Sequence, residues 1–518
     1  MELIKRQIHC NRMGKHTVNQ FYMDEDINVP DVKEDMLHII QGEGYIKIED
    51  VKPAETFITV LGKLYYHVLY ATAGDEARLA VLEGKVPFEE TVYTEDEQGV
   101  QYVVRATRVD FSATLIHSRK LTIRAMIELD IIREELGEEE TTIDVDNPIL
   151  YKKKRSVNLL ELNTMKRDNY RVKEEINLPG TKESMEEILI YNVANRKLEI
   201  RPGQDELRIR GELLVFVLYT TGEGSNDWVE QIVPFEGRMD CYGIEEGMYH
   251  HAYASLEDPV VEARINEDGE MRILGIESTI SLRIYVYQEE QMELLEDVYS
   301  LSESCEIQTK KAVYEELLLQ NQSRCKVTEQ LLLPELKEDV LQICHSDGNL
   351  QIDNETVTEE GILLDGVLYV TFLYIKADDK MPYTAWQGMV PFSHLLESKE
   401  LPENIRFDIT SHVEQLAVSL MGNGEVEIKA VLAFDTFIRK MLPIEMITDI
   451  TLSPREMKEQ ETSPGIIGYI VKDGDYLWDL AKKYLTTVEG IMDVNELESE
   501  SVKPGDRLLI FKENVSIL

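Results

Sequence analysis

The sequence predicts a multidomain chain, three tandem mainly-β (α+β) repeats followed by one small β-α-α-β module. Three observations carry this. Sequence anchors return at one long period, the long segments among them are β-branched and aromatic, and the pattern changes after Gly465. Ile27-Asn28-Val29-Pro30, Ile176-Asn177-Leu178-Pro179 and Leu331-Leu332-Leu333-Pro334 place their prolines 149 and 155 residues apart. Gly62, Gly211 and Gly366 keep the same two spacings, as do the pairs Leu69-Tyr70, Leu218-Tyr219 and Leu373-Tyr374. Val-Pro-Phe recurs at 86–88, 233–235 and 390–392. A period this long exceeds the roughly 20–50 residues of a solenoid unit, so each copy is a whole domain.

Each copy opens on a strand, Asn19 to Met23 and its counterparts Asp168 to Val172 and Ser323 to Val327. After the proline, apolar residues fall at helical spacing: Met36, Ile39, Ile40; Met185, Ile188, Leu189; Val340, Ile343, Cys344. That spacing predicts a short helix, and proline suits a helix start because its φ is fixed and its missing N–H would be unpaired there. Phe57 to Thr72, Glu206 to Thr221 and Gly361 to Lys376 each read as a long strand, buried on both faces in its second half. The repeated glycine marks a bulge or a close backbone crossing within it. Each copy ends on an alternating ladder in which Ile123, Ile273 and Ile428 align.

The expected boundaries are 1–135, 156–292 and 311–450 for the repeats, with a charged linker at 136–155, a linker at 293–310 and a polar linker at 451–465. The charge runs Glu134 to Glu140 and Lys152 to Arg155 fit solvated connectors. The last module spans 466–513. Tyr469-Ile470-Val471 is a strand, and Gly474-Asp475 a turn with Asp475 placed to cap the helix that follows. Leu477, Leu480, Ala481 and Tyr484 form one apolar stripe, and Thr486 to Glu489 is a capping-box pattern opening a second helix. Lys503-Pro504-Gly505-Asp506 turns into the strand Arg507 to Phe511.

Composition excludes some functions. Lys and Arg number 54 against 98 Asp and Glu, a formal charge of −44. A surface of that sign is repelled by nucleic-acid phosphates and anionic lipid. The longest apolar run, 213–219, is far below the roughly 20 residues of a membrane helix, and the N-terminal residues lack a signal-peptide core. Five scattered cysteines have neither metal-ligand nor redox spacing and fit reduced thiols in a cytosolic compartment. No phosphate-binding glycine loop, zinc-protease helix or nucleophile elbow is present. His250-His251 fits a surface pair on opposite faces of a strand rather than a metal site. Asn266 to Gly269 fits a hairpin turn, since it lacks calcium-loop spacing. No catalytic residue, metal or cofactor is expected, and the chain reads as a multivalent scaffold.

Tyr469-Ile470-Val471-Lys472-x-Gly474-Asp475-x-Leu477-Trp478-x-Leu480-Ala481-x-x-Tyr484, with Asn495, Pro504-Gly505 and Leu508, resembles a LysM domain over the whole module. The resemblance implies two helices on one face of a two-stranded sheet and a shallow groove for N-acetylglucosamine chains. Carried onto this chain, the groove falls between Gly474, Asp475, Tyr476, Leu477 and Asn495, Glu496, Leu497. Tyr476 stands where the family has a small hydroxyl residue, and Leu485 where it has the glycine that ends the first helix in left-handed geometry. Tyr476, Trp478, Tyr484 and Leu485 are candidates for contact with a protein partner.

The repeats, with Pro-x-x-Lys-Glu, Gly-Lys-Leu-Tyr-Tyr or its equivalents, and Val-Pro-Phe, resemble the SPOCS family of spore-coat-associated domains. Three such copies and one LysM module resemble a coat-morphogenesis protein. That implies a mother-cell protein at the forespore surface, docking the coat ATPase, stage IV sporulation protein A, through its LysM module. Its repeats would contact other coat proteins or further copies of itself. The alternative expectation is a peptidoglycan binder of the spore or cell envelope.

Overall fold

The computed structural model describes residues 2–74, 78–94, 101–336, 340–377, 382–455 and 465–512. The Lys-Glu of the third Pro-x-x-Lys-Glu motif, most of the polar linker 451–465 and residue 513 lie outside the described residues.

The first repeat consists of β1 (Glu2–Asn28), β2 (Met36–Pro53), β3 (Phe57–Thr72), β4 (Leu79–Tyr93), β5 (Gln101–His117) and β6 (Lys120–Asp146). The second runs β7 (Leu150–Asn177), β8 (Met185–Pro202), β9 (Glu206–Thr221), β10 (Asn226–Asp240), β11 (Tyr249–Ile265) and β12 (Met271–Ser300). The third runs β13 (Glu303–Leu332), β14 (Val340–Thr358), β15 (Gly361–Lys376), β16 (Tyr383–Glu397), β17 (Ile405–Gly422) and β18 (Glu425–Pro454). In each, strands pair as two antiparallel three-stranded sheets, ordered β1-β6-β5 and β2-β3-β4 in the first copy. The sheets face one another over a common core; in the first copy Val60, Leu64 and Val68 of β3 meet Ile123, Ile127 and Leu129 of β6. The mainly-β expectation holds, and β3, β9 and β15 are the central strands with the bounds read from sequence.

Two of the repeated anchors are one structural unit. Gly62 pairs across the sheet with Phe88, Gly211 with Phe235 and Gly366 with Phe392, so the glycine and the Phe of Val-Pro-Phe are cross-strand neighbours. A Cβ on Gly62 would stand 2.5 Å from the Phe88 ring and 2.6 Å from the Lys47 carbonyl oxygen. The ring lies where a side chain would be, so the position is a close approach, and the bulge belongs to the neighbouring strand at Ile48/Asp50. The proline of each motif sits on an edge strand, where it loses no ladder hydrogen bond and blunts pairing with a foreign strand.

The helix expected after each proline is absent among the described residues: Met36, Met185 and Val340 begin strands, and a three-residue 3-10 turn at Pro334–Leu336 is the nearest feature. The cause is two bulges in close succession. Register shifts fall at Met36/His38 and Ile39/Gln41, at Met185/Glu187 and Ile188/Ile190, and at Val340/Gln342 and Ile343/His345. Each bulge adds one residue to a period of two, so inward apolar residues take the i, i+3, i+4 spacing of a helix. The Ile273 alignment is also corrected. Ile27, Ile176 and Leu331 pair with Leu121, Leu274 and Val426, which makes Ile276 the equivalent of Ile123 and Ile428. The longer turn at Asn266–Glu270 displaced the match; Asn266 Oδ1 accepts from the Asp268 and Glu270 amides at 3.0 and 2.9 Å, and Gly269 has φ +83°.

The segments expected as linkers at 136–155 and 293–310 are strand apart from short turns. The outer halves of β1 and β6, β7 and β12, and β13 and β18 continue past the sandwiches as three ribbons packed into a stem. Ile8, Leu159, Leu294 and Tyr314 form one layer of its core, and Val145, Leu150, Val298 and Ile450 another. Every repeat therefore touches both others. Thr142 Oγ1 donates to the Ile447 carbonyl at 2.7 Å, and Tyr253 OH donates to Asp408 at 3.1 Å. Glu134, expected on a solvated connector, has a side chain 1% exposed and holds Arg167, Arg283 and the Tyr285 hydroxyl of the second repeat. Arg439 is wholly buried between Glu315 and Asp408. Charges this dry are tolerated because each is paired.

Candidate functional site

The last module is built from β19 (Ile466–Ile470), α1 (Leu477–Tyr484), α2 (Val488–Val494) and β20 (Arg507–Phe511). Val471, Leu477, Leu480, Ala481, Ile491, Leu508 and Ile510 form its core. Thr487 caps α2 by accepting from the Gly490 amide at 2.9 Å. Gly490 occupies the third helical position, so no Glu side chain reaches back and the expected capping box is one-sided. Asp475 does not cap α1; the N-cap is Tyr476. Instead, Asp475 Oδ2 accepts from the Lys472 amide and from Tyr469 OH, both at 2.8 Å, closing the turn in which Gly474 has φ +85°. The Lys472 amide and the Tyr469 hydroxyl hold its carboxyl below the usual range. Leu485 ends α1 at φ 56°, ψ 52°, the left-handed geometry that its family's glycine provides without strain.

These contacts divide the expected groove residues. Leu477 is core, and Leu497 packs against the core. Asn495 is tied to the sheet, donating to Ile491 and Leu509 carbonyls at 2.8 and 2.7 Å and accepting from the Leu509 amide at 2.7 Å. Gly474, Tyr476 and Glu496 face solvent. Trp478 faces neither groove nor solvent alone. Its indole Nε1 donates to Asp297 of β12 at 2.7 Å, Lys482 reaches the other oxygen of Asp297 at 2.6 Å, and the ring meets Tyr299 edge-on with centroids 4.8 Å apart. Tyr299 OH donates to the Thr486 carbonyl at 3.0 Å, and Tyr151 stacks on Tyr299. The Lys153 ammonium lies 5.9 Å from the Tyr476 ring. Thus α1 is seated on the end of the stem. Tyr484 is half-buried against Tyr469.

Sequence reasoning missed the other face of this sheet. Ile466, Ile470, Leu509 and Phe511 point away from the helices and are 60, 60, 49 and 41% exposed. Between them Gly468 leaves open space above the backbone. The signal was available: both phases of the alternation in Ile466 to Ile470 and Leu508 to Phe511 are apolar, while a two-stranded sheet under two helices needs only one. Among the described residues no group of three or more His, Cys, Asp or Glu is arranged to hold a metal. His251 is not at the surface. It is buried against Tyr253, and burial pushes its imidazole down to about 4.

Comparison with known families agrees with this architecture. The model of the SipL SPOCS domain matches residues 35–116, 184–264 and 339–421, and that of the LysM domain matches 469–511. The chain has three SPOCS domains closed by a LysM domain. No curated protein and no solved structure matches it significantly. These domains mark a sporulation-related protein, and both are of binding or adaptor type. Each SPOCS match covers the second to fifth strands of its repeat, so it omits the two long strands that build the stem. No helix among the described residues is long and apolar enough to cross a membrane.

Proposed function

We propose that this chain is a non-enzymatic adaptor of spore-coat assembly. Its LysM domain docks the coat morphogenetic ATPase, stage IV sporulation protein A, and its SPOCS domains offer further surfaces to coat proteins or to other copies of the chain. It acts in the mother-cell cytoplasm at the forespore surface. The observation that carries the reading is the exposed apolar cluster Ile466, Ile470, Leu509 and Phe511 on the outer sheet face, where Arg507, the cross-strand partner of Ile470, is the one charged residue among those described. Apolar surface of this kind gains by burial against protein, about 25 cal/mol per Å², whereas a glycan needs polar partners. The groove has few to offer: Asp475 Oδ2 and both side-chain polar atoms of Asn495 are bonded within the module, and Tyr476 projects at the lip.

The second reading, binding of N-acetylglucosamine chains, rests on the family class of the LysM domain and on exposed Gly474, Tyr476 and Glu496. The test is retention of the full chain on immobilised coat ATPase and on purified peptidoglycan in parallel. Retention by the ATPase alone supports the adaptor. Retention on peptidoglycan alone, weakened by Glu496→Ala, overturns it.

A further inference from the structure

Where the three sandwiches meet above the stem they surround an open chamber of about 2200 Å³, walled by residues of all three repeats. Its wall carries ten carboxylates and six lysines or arginines. All six basic groups are already in ion pairs, such as Lys47 with Asp258 at 2.5 Å and Arg105 with Asp130 at 2.6 Å. Among the described residues no lysine or arginine pairs with Glu43 or with Glu355. Both side chains reach solvent, yet both lie deep. Burial pushes their carboxyls above the usual range, with the charge of Asp347 adding to the effect at Glu43 and those of Asp408 and Asp130 at Glu355. Glu43 stands near Asp347 and Glu355 near Asp408 and Asp130; Glu128, Glu257 and Asp435 of the wall likewise have no lysine or arginine partner among the described residues.

The polar groups of the wall point the same way. His345 is 7% exposed, stacks on Phe216 with centroids 4.1 Å apart and meets Glu230 through Nδ1, while its Nε2 has no hydrogen-bond partner. An imidazole donating from Nδ1 to a carboxylate offers an acceptor at Nε2 in its neutral form. The buried side-chain oxygens of Gln41, Asn192, Asn195 and Gln351 behind this wall also lack a donor, and Arg105 Nε and Arg406 Nη1 lack an acceptor. Carboxylates without a cation, in a chamber whose lysines and arginines are all already paired, select a ligand that is cationic.

We infer that the chamber binds an extended organic polycation bearing several amines, whose ammonium groups reach Glu43 at one end and Glu355 at the other. A free polyamine and a lysine-bearing polypeptide segment share that chemistry. Calorimetric titration of the full chain with spermine, tetralysine, putrescine and a neutral trisaccharide tests it. The expected result is saturable binding of one spermine or tetralysine per chain, roughly tenfold weaker binding of putrescine, and no heat with the trisaccharide. Glu43→Gln with Glu355→Gln should weaken the tight site at least tenfold. A control pair of equal charge change on an exposed loop, Glu245→Gln with Glu246→Gln, should leave it unchanged. Tetralysine binding without spermine binding assigns the amines to a polypeptide. Equal weakening in both double variants reduces the effect to the chain's overall acidity and overturns the inference, as does the absence of saturable binding to either amine at millimolar concentration. The single variant Glu43→Gln carries the same comparison if the double variant melts early.

Discussion

Glu134 and Glu135 are neighbours in an acidic run, and the stem makes them behave differently. Glu134 has a side chain 1% exposed and binds Arg283, itself 16% exposed, at 3.3 Å, together with Arg167 and the Tyr285 hydroxyl. Removing one partner of a fully buried ion pair costs about 3–5 kcal/mol, because the remaining charge stays desolvated. Arg167 is 42% exposed and regains water, so the expected cost of Glu134→Ala falls to about 2–4 kcal/mol. Glu135 is 46% exposed and meets Arg133 at 3.3 Å; Glu135→Ala should cost about 0–1 kcal/mol. Urea unfolding at pH 7, followed by far-ultraviolet circular dichroism, measures both as shifts in midpoint at constant slope. A connector exposed to water would give two small and equal effects. Values within about 0.5 kcal/mol of each other would refute the stem as described.

Gly211→Ala would put a Cβ 2.3 Å from the Phe235 ring and 2.6 Å from the Lys197 carbonyl oxygen. It should destabilise by about 1–3 kcal/mol, and less than additively when combined with Phe235→Ala, which a double-mutant cycle in urea reads. Asp297→Ala removes the partner of both the Trp478 indole and Lys482; the tryptophan emission should shift to the red as α1 leaves the stem, and an unchanged spectrum would contradict the seating. Acid should loosen the contacts between repeats. Asp144 is pulled up by burial, but Lys152, Lys154 and the Val145 amide hold it down at about 2, and Arg439 likewise holds Asp408 below the ordinary range. A depressed carboxyl contributes stability that is full above its unfolded value near 4 and is lost as pH falls through the folded one. Unfolding free energy should therefore decline from pH 4 towards pH 2, and Asp144→Asn should flatten that decline.

What was legible in the sequence was whatever depends on neighbours close in the chain. Gly62 and Phe88 repeat together because they are cross-strand partners in adjacent strands, and the LysM turns are local to a few residues, whereas the capping residues, Tyr476 and Thr487, each lie one position from those expected. Period alone could not separate a helix from two bulges three residues apart at Met36 and Ile39, since both give the same apolar spacing. The stem was hidden for a different reason. Along Ser156 to Leu162 the inward residues Val157, Leu159, Leu160 and Leu162 are interleaved with polar ones, and the partners that bury them include residues of the other two repeats, such as Ile8, Ile132, Tyr314 and Phe437. Glu134 looked solvated because its cations lie in the second repeat, at Arg167 and Arg283. In the LysM domain, Leu485 in left-handed geometry was readable from its position, whereas the contact of Trp478 with Asp297 crosses 181 residues of chain.

The most direct measurement of the adaptor reading is the affinity of the full chain for the coat ATPase when only the outer sheet face is changed. Ile470→Asp with Leu509→Asp alters two residues that lie outside the module's core and makes no change to α1 or to its seat on Asp297. The adaptor reading predicts at least a tenfold loss of ATPase affinity with an unchanged melting temperature. Undiminished affinity in this variant, or retention on peptidoglycan with none on the ATPase in the parent chain, would contradict it.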